Sequence, residues 1–314
     1  NRKLYLGIST VMVLISLISL FTIKLNLGVD FKGGELIQLK YSKKIDQNAV
    51  NSTLNSLIGK IPQMKAKRVQ FSDTDNTVII RTEQMSGTQK AKVMSELKQN
   101  TGKFEVVKNE TVGAVIGKEL TANAFQALLI GSILIIIYIT VRFEFIYAVA
   151  GIVALVHDVI IAFGVIAILK YEIDTPFIAA ILTILGYSIN DTIVVFDRIR
   201  ENIKKNRECR NKVTLSFGEI IEKSINQVFT RSIYTSLTTL FSVIVLLILG
   251  GDTLKTFSMT LFVGMLVGTY SSVFVASPLV YIMKKGKDEP KAKDTTNHSG
   301  KTVNGYDEKD KVLV

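Results

Sequence analysis

Two carboxylates, Asp191 and Asp197, sit in the otherwise oily stretch "GYSINDTIVVFDRIR" (186–200), with Asn190 beside the first. A second oily stretch, "GIVALVHDVIIAFG" (151–164), carries His157 and Asp158 side by side, and Arg231 stands at the head of a third. An acid and a guanidinium brought together in low dielectric can switch between a proton-bound and an ion-paired state. That is the chemistry of a proton relay. At about 100° per residue Gly186, Asn190 and Asp197 share one helical face, while Asp191 lies on a neighbouring face and, at a 1.5 Å rise, roughly 9 Å deeper. Asp197 and Arg231 also suit the plainer role of marking where helices emerge into the headgroups. His157 and Asp158 fall near the middle of their run, too deep for both to escape by snorkelling, so they are functional candidates facing a protein interior.

Other chemistries fit poorly. The chain has two histidines, His157 and His298, so no zinc or nucleophile constellation is expected, and neither a metal nor a cofactor. Paired membrane aspartates suggest an intramembrane protease, but "GYSIND" does not match the G-x-G-D motif of those enzymes. The expectation is a protein that is not an enzyme.

The elements that must hold these residues follow from composition. Of 314 residues, 48% are hydrophobic and 21% charged, which is too apolar for an ordinary soluble protein. Apolar runs at 4–23, 121–141, 145–169, 176–196, 232–249 and 257–283 each approach the roughly 20 residues a bilayer-spanning helix needs. Six spans in an α-helical polytopic membrane protein result. The first follows Asn1, Arg2 and Lys3, but it is longer than a signal-peptide core and no A-x-A-like site follows it, so an anchor is expected. The segment 198–231 holds nine basic residues against four acidic, whereas the loops 170–175 and 250–256 hold one basic residue each. By the excess of Lys and Arg in short inside loops, both termini and 198–231 are cytoplasmic and 24–119 lies outside. The net charge of +11 thus reflects orientation. No basic-aromatic interleaving supports a nucleic-acid partner.

Within 24–119, "ELIQLKY" alternates as a half-buried strand, with Ile37, Leu39 and Tyr41 on one face. Asp46 can cap a helix through Val50, Leu54, Leu57 and Ile58. "KRVQF" and "TVIIRT" read as strands joined by the turn "SDTDN", followed by a helix through Val93, Met94 and Leu97 and a last strand, "FEVVK". The order β-α-β-β-α-β predicts a ferredoxin-like α+β extracytoplasmic domain after the first helix. It holds no Cys; Cys209 falls in the cytoplasmic loop, where a reduced thiol is expected. In "LGVDFKGG", Asp30, Gly33 and Gly34 read as a sharp turn where the chain enters the sheet. The amphipathic stretch around Phe217, Ile220, Ile221, Ile225 and Val228 is expected to lie along the membrane surface. In "GMLVG", Gly264 and Gly268 allow close helix approach, within the chain or to a partner.

"GVDFKGG", "RFEFIYAVAGIVALVHDVII" and above all "GYSINDTIVVFDRIRENIKK" resemble the SecF family of the bacterial Sec export machinery, over about residues 1–285. The tail 285–314 lies outside the resemblance and reads as a charged, disordered cytoplasmic end. The resemblance implies a multi-pass protein of the bacterial cytoplasmic membrane. It also implies a SecD partner, with which it forms a pseudo-symmetric assembly related to the resistance-nodulation-division transporters, and association with the SecYEG channel, YajC and SecA. Its implied work is to use the proton or sodium gradient to draw preproteins outward after an ATP-driven push. The family's ion-path Asp and Arg map by resemblance onto Asp197 and Arg231, with Asp191 ranked below Asp197. A rival on the same architecture is a proton-coupled exporter of small molecules or lipids, which would normally carry both halves in one chain.

Overall fold

The computed structural model describes residues 2–72, 76–208 and 215–284. Residues 73–75 of the expected turn at 72–76, Cys209 and the tail 285–314 with His298 lie outside the described residues. From the N-terminus the elements are α1 (Arg2–Thr22), β1 (Asn26–Leu27), α2 (Val29–Lys32), β2 (Gly34–Tyr41), α3 (Gln47–Ser56), a 3-10 turn (Pro62–Ala66), β3 (Arg68–Ser72), β4 (Thr77–Thr82), α4 (Gly87–Thr101) and β5 (Phe104–Val112). There follow α5 (Ala114–Arg142), α6 (Phe145–Ile168), β6 (Glu172–Ile173), α7 (Thr175–Glu208), α8 (Phe217–Leu249), α9 (Gly251–Ser271), a π turn (Ser272–Ala276) and α10 (Ser277–Lys284).

Six helical segments are long and apolar enough to cross a membrane, the last formed by α9, the π turn and α10 together. Their ends have local causes. Phe143 leaves helical geometry between α5 and α6, at φ −126° and ψ 157°. Asp174 caps α7, its Oδ1 accepting from the Phe177 N–H at 3.0 Å. Ser216 and Glu219 form a reciprocal capping box that starts α8. The helices outrun the expected spans: α7 continues to Glu208 and α8 begins at Phe217, so the anticipated loop 198–231 is largely helical. The amphipathic stretch 217–228 is the first part of α8 rather than a separate surface helix. Its apolar side packs inward, with Ile221 and Val228 buried beside Ala276 and Val280, and Phe217 stacked on Tyr281.

The sheet-bearing part between α1 and α5 follows β2-α3-β3-β4-α4-β5 in an antiparallel sheet of order β3-β4-β2-β5. Asp46 caps α3 through the N–H groups of Asn48 and Ala49, and Ser86 with Gln89 caps α4. Ile37, Leu39, Val78 and Ile80 meet Val50, Leu54, Val93 and Leu97 in one apolar core. Strand β2 is not half-buried. Leu36 and Gln38 on its other face are covered too, in a recess lined also by Glu172, Asp174 and Pro176 of the membrane part. A two-stranded parallel pair seals this contact, with Asn26 opposite Glu172 and Leu27 opposite Ile173. An Arg81–Glu172 ion pair and a hydrogen bond from Arg68 to Asn26 add to it.

Candidate functional site

Four of the membrane-crossing segments contribute to one buried polar cluster. Asp158, in the middle of α6, is fully buried. Its Oδ2 accepts from the hydroxyls of Ser188 on α7 at 2.5 Å and Ser271 on α9 at 2.7 Å, and its Oδ1 lies 2.8 Å from His157 Nδ1. Asp191, one turn along α7 from Ser188, is 9% exposed. Its Oδ1 accepts from Ser232 of α8 at 2.7 Å and its Oδ2 from Ser272 at 2.8 Å.

Consecutive residues therefore serve the two acids. Neighbours on a helix point about 100° apart, so Ser271 reaches α6 while Ser272 reaches α7. The helix then passes into the π turn that begins at Ser272, and Ser277 Oγ donates back to the Ser272 carbonyl at 3.1 Å. Single π turns inside α-helices recur at functional sites because they re-aim side chains at the cost of regular bonding. Close approach is secured by Gly268: a Cβ there would stand 3.0 Å from the Ser188 Cβ. Gly264 likewise packs against Ile184, so the "GMLVG" glycines serve contact between α9 and α7 within this chain.

Every hydrogen bond to Asp191, and two of the three to Asp158, come from hydroxyls. No guanidinium or ammonium is among these partners. A buried ionised carboxylate without a cation is costly, and binding a proton removes the charge while leaving room to donate or accept a hydrogen bond. Each of the two acids is thus held chiefly by hydroxyl donors from neighbouring helical segments. His157 is 6% exposed, and among the described residues its Nε2 has no hydrogen-bond partner while its Nδ1 is engaged.

The expected Asp197–Arg231 pair is not formed. Asp197 instead takes both oxygens to Arg142 Nη2 at 3.0 Å, with Arg200 at 3.8 Å, and its side chain is 42% exposed. Phe143 lies beneath both guanidiniums, at 5.1 and 5.6 Å, so the group forms a surface knot where α5 turns into α6. The cause is the facing of α8, which turns Ser232 to Asp191 of α7 and leaves Arg231, the residue before it, on an exposed side. Asn190 and Gly186 share an uncovered side of α7, and nothing lies within 4 Å of where a Gly186 Cβ would be. Asp30 instead reaches Thr175 at the N-terminal end of α7, far along the helix from Asp191, and Gly33 and Gly34 lie against Ala114 of α5 and Thr82 of β4. The four serines and Arg142 were not singled out from sequence.

Comparison with known proteins decides the family. The model for protein export membrane protein SecD/SecF, C-terminal, matches residues 92–286, and that for the SecD/SecF GG motif matches residues 18–45. A protein translocase subunit SecF from Sebaldella termitidis is 50% identical over 93% of this chain and 92% of its own length. The chain belongs to the SecF family. Among solved structures it is similar to SecDF of Thermus thermophilus, described as a translocon-associated membrane protein, with 35% identity and a TM-score of 0.80 over 90% of this chain. A SecDF in a super-membrane-facing form matches at 36% identity and a TM-score of 0.62 over 91% of this chain. In both cases the chain spans 38% of the longer SecDF chain. The GG-motif match places Gly33 and Gly34 within a family feature, and the larger match contains Asp158, Asp191, Asp197 and Arg231.

Proposed function

We propose that this chain works with a SecD half in the bacterial cytoplasmic membrane. There the pair uses the proton gradient to promote preprotein passage through a SecYEG channel served by SecA and YajC. Family membership supports the export role. The coupling role rests chiefly on one observation: Asp158 and Asp191 lie buried inside the helical bundle, each accepting from two serine hydroxyls, with His157 beside Asp158 and no Lys or Arg on either acid among the described residues. Moving one charge through 100 mV supplies about 2.3 kcal/mol, roughly a fiftyfold bias on a two-state equilibrium. With a proton bound, Asp191 is neutral and keeps its bonds to Ser232 and Ser272; losing the proton leaves a buried charge that hydroxyls alone do not offset, so that α8 and the last span shift against α7. Deprotonation calls for a cation, and Arg231 directly precedes Ser232. A rotation of α8 by about one residue's 100° presents the guanidinium instead of the hydroxyl. The hydroxyls point hydrogens at both carboxylates, which suits proton exchange better than a cage of lone pairs for sodium.

A SecD partner follows from the SecDF matches, of which this chain covers 38%, and from the uncovered polar side of α7 at Gly186 and Asn190. Parallel repeats in transporters meet at such sites. With both termini cytoplasmic, a ferredoxin-like domain stands on the outer face to grip or release the emerging chain. The test is gradient-dependent export in inverted membrane vesicles carrying Asp191→Asn or Asp197→Asn. Loss with the first and retention with the second supports this site. Intact gradient dependence with Asp191→Asn overturns it.

A further inference from the structure

The turn "GVDFKGG" does more than start a sheet. Asp30 reaches from the short helix α2 to the outer end of α7, where its Oδ2 accepts from both the backbone N–H and the hydroxyl of Thr175, each at 2.9 Å. The first N–H groups of a helix have no partner within it, and its N-terminus carries a partial positive charge, so a carboxylate supplied from elsewhere is a strong tie. α7 has its own cap in Asp174, which takes Phe177 N–H. Asp30 is thus a second cap, delivered in trans by the segment that leads straight into β2.

That segment is held without slack. Gly28 N–H donates to the Ile173 carbonyl at 2.8 Å, one residue before Asp174. Gly33 has φ +74° and Gly34 φ +133°, and a Cβ on Gly34 would stand 2.5 Å from the Thr82 carbonyl of β4. Gly117 of α5 lies so close that a Cβ there would be 2.9 Å from Gly33 N. Two residues after Gly33 the chain is already hydrogen-bonded in the middle of the four-stranded sheet, with Glu35 opposite Thr82 and Thr111. α7 is also the helix that bears Ser188 and Asp191, thirteen and sixteen residues beyond Thr175.

We infer that Asp30 is a positioning residue whose cap on Thr175 makes the outer sheet move with α7, so that a change at Asp191 is delivered outside through the helix that bears it. This deepens the reading of Asp191 given above and rests on it. The other contacts are of different kinds: the Arg81–Glu172 pair attaches to β6 before the helix begins, Gly33 packs on α5, and Phe31 joins the apolar cluster of Phe177 and Ile181, so Asp30 supplies the hydrogen-bonded tie to α7.

The test uses the full chain in phospholipid vesicles at one pH, with Asp191→Asn standing for the proton-bound acid. Spin labels at the exposed positions Gln99 and Leu169 report the outer domain against the end of α6, and labels at Lys204 and Ile282 report α7 against α10. In the parent, Asp191→Asn should shift both distances. With Asp30→Ala the shift between 204 and 282 remains and the shift between 99 and 169 is lost, while Asp30→Asn, which keeps an acceptor for Thr175, restores it. If Asp30→Ala yields too little folded protein, Thr175→Val removes one of the two bonds, and a reduced outer shift supports the tie. An outer shift unchanged by Asp30→Ala or Thr175→Val overturns the inference alone. An Asp191→Asn protein in which neither distance moves overturns the reading of Asp191 and this inference with it.

Discussion

Replacing Asp158 separates the work its carboxylate does for the fold from the work it does for coupling. Its two oxygens accept three bonds, Oδ2 from Ser188 and Ser271 and Oδ1 from His157 Nδ1. An asparagine can place its carbonyl where Oδ2 stands and its amide toward Nδ1, which accepts in the other imidazole tautomer. All three neighbours stay bonded, so Asp158→Asn should cost about 1 kcal/mol or less. A leucine leaves them without an acceptor. Ser271 has a second one in the Gly268 carbonyl at 3.1 Å, so two groups are stranded, Ser188 and His157. At about 1–3 kcal/mol for each buried orphan, Asp158→Leu should cost about 2–6 kcal/mol. Thermal unfolding in mild detergent would register this as a fall of at least several degrees for leucine, at roughly 2–4 °C per kcal/mol, and little change for asparagine. Gradient-dependent export should be lost in both. An asparagine variant that melts as early as the leucine one would show that the charge itself holds the bundle, and one that keeps gradient-dependent export would remove Asp158 from the path.

Other perturbations have smaller reach. Asp197→Ala removes an ion pair whose partners are 42% and 43% exposed, so it should change stability by about 1 kcal/mol at most in the same melts. Gly34→Ala forces a side chain onto φ +133° against the Thr82 carbonyl and should destabilise the outer sheet by at least about 1–3 kcal/mol, seen as faster hydrogen exchange in β2 and β4. Burial holds the Glu172 carboxyl above the usual carboxylate range, outweighing the opposite pull of Arg81, and burial together with the Asp30 charge does the same to Asp174. Raised values favour the protonated form in the folded protein, so this stability is fully present below the ordinary carboxylate pKa and lost as pH rises through the raised ones. Protease resistance of the outer domain should therefore decline over that window, and Glu172→Gln should flatten the decline in part, leaving the share owed to Asp174.

Much of this architecture is legible because its causes are local or periodic. The six apolar runs and the cap at Asp46 announce themselves within a few residues, and the strands around Ile37 and Ile80 do so by alternation. What escaped sequence reading depends on contacts across the chain. The pair β1 and β6 is two residues long on each side and joins segments about 145 positions apart, too short for any pattern. Leu36 and Gln38 look like a solvent face until the membrane part covers them. The misplaced partner of Asp197 has the same origin. Sequence distance put Arg231 near it at the head of an apolar run, but α8 starts fourteen residues earlier and turns that side chain outward, while Arg142, distant in sequence, arrives from the end of α5. Conversely, the depth of Asp158 was readable from its place in the run, whereas its serines were not, since a lone serine in an apolar helix ordinarily bonds its own backbone. Ser188 and Ser232 stand out only once α7 meets α6 and α8. Charge in a membrane is thus easy to find from sequence and hard to pair, because placing the acid needs only one helix and choosing its partners needs four.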